Sequence, residues 1–308
     1  REDLPLAISI FQAGPIVGTG IAFVIGGMVL QVVGDSPPLV LPYFGELAPW
    51  QQTFVYLGLP GILLSIMILV IREPSRRPST RDPESSSDTE ELINFYKRNF
   101  KTIFFHHLGN LSLVLTGYAF VFWSITFFVR VHEMNAAEAS QIFGWIFIFF
   151  GPMGPFLVAY VARTLSKKGH RDANITAGML GGLITIPAVL IIQIAPSPFW
   201  AFVFYAPALA AVNSPFGIAS GALPVITPPH LRARVAAVYM LTGAIGMMFG
   251  PPLAGAFNEY IFPGTEGVRY SMITMTCFFG ITGVALLQLG RKHYALTMKN
   301  TESWAKDS

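Results

Sequence analysis

Along its length the chain alternates between long runs without a single Asp, Glu, Lys or Arg and shorter segments that hold every charge. Eight such runs cover residues 4–33, 50–71, 102–129, 139–162, 174–196, 198–226, 235–257 and 270–289. Each is at least about 20 residues long, which at about 1.5 Å of rise per residue is the helix needed to cross a hydrocarbon layer roughly 30 Å thick. Lipid offers the backbone no hydrogen-bond partners, so each run predicts a helix that satisfies its own amides. The runs are about twice too long for the strands of a membrane barrel. The pattern predicts an all-α membrane protein with eight transmembrane helices, the lipid bilayer being its solvent.

The polar segments orient the helices. Assigning successive gaps to opposite faces puts 18 of the 20 basic residues on one side, and only Arg130 and Arg269 on the other. Positive charge stays cytoplasmic, so both termini are expected there; which membrane is involved does not follow. The one long polar insertion, 72–101, mixes Pro, Ser, Thr, Asp and Glu at its centre, Pro78 to Glu91, with almost nothing apolar. That composition predicts a flexible cytoplasmic linker. It divides the chain into two helices over 1–71, a six-helix bundle over 102–290 and a cytoplasmic tail over 291–308.

Composition narrows the function classes. The chain is 53% hydrophobic and 12% charged, against about 25% charged in soluble domains. Its net charge of +3 is accounted for by the cytoplasmic loops, so no nucleic-acid partner is expected. A single cysteine, Cys277, leaves no disulfide framework and no Cys-rich metal site. His132-Glu133-Met134-Asn135-Ala136 starts like a zinc-protease helix but lacks the second His four residues on. Gly217-Ile218-Ala219-Ser220-Gly221 has its Ser one position off a nucleophile elbow, and there is no phosphate-cradling loop. No enzyme, metal or cofactor is predicted. The chain opens on Arg1-Glu2-Asp3 without a signal-peptide pattern and reads as a piece of something longer.

Polar residues inside the spans are the candidate solute contacts. Tyr118, Trp123 and Thr126 in the third run are read as sharing a face, with Asn110 a little before them; Gln141, Asn213 and Ser214 add amides and a hydroxyl from neighbouring helices. Each alone is equally an interhelical hydrogen bond or an interfacial aromatic. Together they would line a largely apolar cavity for a small-molecule substrate. Glycines four apart, Gly14 with Gly18, Gly178 with Gly182, Gly217 with Gly221 and Gly246 with Gly250, put small residues on one helix face, where another backbone can approach. That is static packing or a sliding contact. Gly14, Gly18, Gly246, Gly250 and Pro251 are the candidate hinges, since Pro removes a donor and bends the turn before it. The six histidines all fall at span ends or in loops and are read as surface or interfacial, His106-His107 being the pair to test. A slide of 228 residues lays Gly18 on Gly246, Phe23 on Pro251 and Gly27 on Gly255, which suggests duplicated elements.

Several segments taken together resemble the major facilitator superfamily, and within it the Spinster-like branch. Ala13-Gly14 through Gly18 to Gly26-Gly27 is similar to the Gly-rich antiporter-type motif of the fifth helix. Trp50 to Phe54, Gly58-Leu59-Pro60-Gly61 and Arg72-Glu73-Pro74 resemble the sixth. Tyr118 to Trp123 with Phe127 to His132 resembles the seventh of Spinster-like proteins, and Pro228 to Arg234 followed by Gly246, Gly250-Pro251-Pro252 and Gly255 resembles the eleventh. The resemblance implies an incomplete major facilitator fold, helices five to twelve, with the N-terminal half of the same protein supplying the first four helices as partner. There are two departures. In the loop Gly154 to Arg171 the position of the family's Asp holds Arg163, so a charge relay is not carried over there. Asn213-Ser214-Pro215 and Gly217 to Gly221 are a local variant of the tenth helix.

The resemblance implies a secondary transporter moving a small organic, amphipathic or lipid-like solute by alternating access. A transport-inactive scaffold or receptor of the same fold is the alternative. Because the spans lack Asp, Glu, Lys and Arg, any ion-coupling carboxylate is expected in the N-terminal half that precedes them, or the protein is a facilitator.

Overall fold

The computed structural model describes residues 4–43, 45–70 and 86–301, apart from the side chains of residues 4–13, 86–88 and 215–221. One pair of two-residue strands, Val40–Leu41 and Gly45–Glu46, interrupts an otherwise helical chain among the described residues. Two long helices, α1 (Leu4–Asp35) and α2 (Pro49–Leu69), come first. After residues 71–85, which are not described, α3 (Ser86–Arg98) runs through Asn99 into α4 (Phe100–Val131). Next come α5 (Ala136–Phe150), α6 (Met153–Lys167), α7 (Ala173–Gln193) and α8 (Pro198–Ile226), and then α9 (Arg232–Ala256), α10 (Gly267–Met275) and α11 (Ile281–Thr301).

Local chemistry sets these ends. The Asn135 side-chain oxygen accepts the Ala137 amide at 2.8 Å and caps α5. The run expected over 139–162 is two helices, because Gly151-Pro152 breaks it: Pro lacks the amide and disfavours a helical residue before it. Gly169 closes α6 with a φ of +87°, its amide on the Ser166 carbonyl at 2.9 Å. A wider π turn, Phe257–Ile261, follows α9, and another, Thr276–Gly280, joins α10 to α11.

Among the described residues seven helical segments are long and apolar enough to cross a membrane, with α5 and α6 together forming one, Ala136–Lys167. Outside that set, α8 is an unbroken helix of 29 residues. The segment read as a linker, 72–101, is helical from Ser86 onward. Leu92, Phe95 and Tyr96, three and four apart, lie on one side of α3, and Phe95 is buried with Ile103, Leu223 and Tyr294. The polar stretch before Leu92 hid that short stripe.

The bundle packs around α4. At one end Phe120, Phe127, Phe128, Phe143, Phe202 and Tyr205 form an aromatic core, with the Phe128 and Phe202 rings stacked at 3.9 Å. At the other end Ile103, Leu113, Ile175, Leu223, Leu287 and Tyr294 close around α3. By contrast α2 buries only Gln52 and exposes Ile62, Leu63, Ile66 and Ile68.

Candidate functional site

The closest helix crossings involve glycine. On α9 a methyl added at Gly246 would stand 2.6 Å from Val114, and one at Gly250 would stand 2.6 Å from the Leu115 carbonyl oxygen. One turn on, the Trp123 indole lies against Gly255, and its Nε1–H donates to the Pro251 carbonyl at 2.9 Å. Pro251 and Pro252 deprive α9 of two amides in this stretch. So α4 holds α9 where α9's own ladder is weakest.

A second glycine seam joins α1 to α5. Methyls at Gly20 and Gly144 would each meet the other's carbonyl oxygen within 3 Å, and one at Gly27 would stand 2.7 Å from the Ala137 oxygen. Phe23 fills the crossing edge-on to Phe143, with ring centroids 4.6 Å apart, and its carbonyl accepts the Ser140 hydroxyl at 2.8 Å. Gln141 reaches Gln31 across the same seam at 3.4 Å. Gly14 and Gly18, the expected hinge pair on α1, meet nothing within 4 Å among the described residues. Gly20 and Gly27, which make the contact, are seven apart and fall outside the four-residue pattern. Gly217 and Gly221 lie where side chains are not described.

The solute-contact candidates disperse. Tyr118 and Trp123 stand roughly 140° apart around α4 at about 3.6 residues per turn, so they cannot share a face; Trp123 faces α9, while Tyr118 and Thr126 are half-buried. Asn213 turns its amide back on the Leu209 carbonyl at 2.9 Å. Buried Ser214 sits against Gly181 of α7, and its backbone amide lies near Gly154 of α6, so it is packed between helices. Asn110 lies towards the α3 end, 2.9 Å from the His106 carbonyl.

The expectation for the histidines needs correcting. His106 and His107 lie inside the α4 span, and His106 is 0% exposed. Ionisable side chains do therefore occur within a span. Every face of a membrane helix is apolar, so sequence periodicity gave no phase from which to read which side is buried.

Outside the spans, Asp172 accepts from Arg291 at 2.7 Å and from Thr176 at 2.9 Å, pinning the start of α7 to α11. Burial raises its carboxyl pKa, but the Arg291 and Thr176 hydrogen bonds and the Arg291 charge outweigh it, leaving the group below the usual carboxylate range. At the opposite end burial, reinforced by the Arg269 cation, lowers the His132 imidazole pKa despite Glu266. Among the described residues no cluster of three His, Cys, Asp or Glu could hold a metal ion.

Known proteins share this helical architecture and parts of its sequence. The model of the Major Facilitator Superfamily matches residues 1–251. Protein spinster homolog 3 of Danio rerio is 25% identical, over 90% of this chain and 57% of that protein. An MFS-type efflux pump of Mycolicibacterium smegmatis is 20% identical, over 96% of this chain and 64% of the pump. The chain thus spans under two thirds of either relative. The fold is similar to that of a bacterial homolog of the human lysosomal transporter Spinster in its inward-facing, unoccupied conformation, with a TM-score of 0.64, 20% identity, and 97% of this chain and 71% of that one covered. The inward-facing, occupied conformation aligns with a TM-score of 0.63 at 22% identity, over 97% and 70%.

Proposed function

The chain belongs to the Major Facilitator Superfamily, and on that footing we propose that the protein carries a small organic solute, amphipathic or lipid-like, across a membrane by alternating access. Its family and its apolar helices make it an integral membrane protein. In this reading α8 is the eighth span, the spans correspond to helices five to twelve of the family, and both termini are cytoplasmic.

The observation that carries the proposal is the α1–α5 seam. It joins the two helices before residue 72 to the bundle after residue 100 through bare backbone, a phenylalanine and few polar contacts. Such a seam can open without breaking a hydrogen-bonded network, as rocking of two parts about a central site requires. The aromatic character of α4, with Tyr118 half-buried and Trp123 bridging to α9, supports an apolar or amphipathic solute over an ion.

The test is counterflow of an amphipathic solute panel by the full-length protein in vesicles. Saturable exchange is expected, weakened by Trp123→Ala. No exchange with any member, together with no solute-dependent stabilisation, would favour the scaffold.

A further inference from the structure

The most unusual polar cluster lies away from either seam, where α3, α4 and α9 meet. His106 and His107 are adjacent on α4, with ring centroids 5.4 Å apart. Tyr239 of α9 sits in the notch between them, 5.5 Å from one ring and 5.6 Å from the other. Tyr96 of α3 covers His107 at 6.3 Å. Five buried polar atoms here have no well-aligned hydrogen-bond partner among the described residues: His106 Nδ1, His107 Nδ1 and Nε2, Asn110 Oδ1 and the Tyr96 hydroxyl, with the Ile103 backbone near the His107 ring. Buried polar groups are almost always satisfied, so five together mark a site shaped for something other than packing.

Among the described residues no carboxylate lies with the rings and amides around the pair. Tyr96 faces it from α3 and Tyr239 from α9, while on the α11 side His293 stacks on Phe105 at 5.6 Å and Thr297 engages Thr102 at 2.9 Å. The remaining charges on α3, the start of α4 and the start of α9 are Asp88, whose side chain is not described, and Glu90, Glu91, Lys97, Arg98, Lys101, Arg232 and Arg234. Glu91 is engaged by His230 at 2.9 Å. On α11 they are Arg291, Lys292 and Lys299, of which Arg291 binds Asp172. The pair therefore fits while neutral. A proton added to it would have no counter-ion and must bring in water or displace its cover.

The cover is lightly held. Beside Tyr96 an open, apolar groove lined by Leu92, Ile93, Tyr96, Lys97, Phe100 and Val238 leaves α3 room to shift. We propose that His106 and His107 form a proton-binding site whose occupation releases α3 from the bundle. On the outer side His230 meets Glu91 of α3 at 2.9 Å. Acid thus weakens the inner attachment of α3. The device operates whatever solute the protein carries.

Amide exchange of residues 86–98 in the full-length protein in lipid nanodiscs, corrected for the intrinsic pH dependence of exchange, tests this between pH 7.5 and 5.5. Protection of α3 should fall as pH drops, by up to about tenfold per pH unit for each proton taken up, while α7 stays protected. His107→Gln should flatten the dependence and His106→Gln/His107→Gln should abolish it. Protection of α3 that is independent of pH in the unmutated protein would overturn the proposal, even if the double variant fails to fold. So would an unchanged dependence in His107→Gln.

Discussion

A methyl group added at Gly250 would stand 2.6 Å from a backbone oxygen of α4 that cannot rotate away, whereas one added at Gly18 would meet nothing within 4 Å. Gly250→Ala should therefore force α9 off α4, at a cost of about 1–3 kcal/mol for overpacking. In the 308-residue chain taken by itself, Gly18→Ala should be neutral or stabilising by up to about 1 kcal/mol, because there it removes only glycine's entropic penalty in a helix. Thermal unfolding in detergent distinguishes the two, and equal losses would refute the assignment of Gly250 to a close crossing. The Asp172–Arg291 pair gives a pH prediction with a definite sign. Its carboxyl is depressed in the folded protein, so as pH falls the unfolded chain takes up the proton first. The pair's contribution is complete above the ordinary carboxylate value of about 4 and is lost as pH drops through the lower folded value. Asp172→Asn should remove that acid-side loss and leave the slope above pH 5 unchanged. Parallel stability curves for variant and native protein below about pH 4 would contradict it.

Among the elements, the spans were legible because charge is costly in a bilayer and so delimits them; the boundary between α5 and α6 was also present, as Gly151-Pro152, but overridden by the length of the run. α3 was missed because a 14-residue polar average, Pro78 to Glu91, outweighed the stripe of Leu92, Phe95 and Tyr96 that follows it. The buried faces were not legible at all: lipid-facing and bundle-facing positions are both apolar, so His106, Ser214 and Gly20 carry no signal of their depth. The α1–α5 seam, found only in the structure, yields its own prediction. Gln31 and Gln141 meet across it at 3.4 Å. With Cys277→Ser, the pair Gln31→Cys/Gln141→Cys should crosslink under mild oxidation, and adding Gly144→Ala should reduce the yield by pushing Val24 and Gly20 away. If alternating access opens this seam, the crosslink should stop solute exchange and reduction should restore it. Exchange that continues in the locked protein would place the moving contact elsewhere.

For the whole molecule, orientation determines which solution each end samples. In the orientation proposed from the excess of 18 basic residues to 2, the turn at Lys167-Lys168 would be cytoplasmic and the turn at Glu266, between α9 and α10, would lie on the opposite face. Lys168 and Thr265 are both exposed, so single cysteines there, with Cys277→Ser, can be probed with a membrane-impermeant maleimide on sealed right-side-out vesicles. Thr265→Cys should label at once, and Lys168→Cys only after permeabilisation. The reverse pattern would invert the protein and exchange the solutions that bathe its two ends. The Asp172–Arg291 pair lies at the Lys168 end and the His106–His107 cluster at the end of α4 that holds α3, both bathed by the cytoplasm in the expected orientation. His132, Glu266 and Arg269 lie at the opposite end. The depressed imidazole of His132 resists protonation in the fold, so acid on that side charges the unfolded chain first, and its part of the stability is lost as pH falls below about 6.5. Acid applied to one face should therefore act on His132 and acid applied to the other on α3, so one-sided pH jumps on oriented vesicles would separate the two responses.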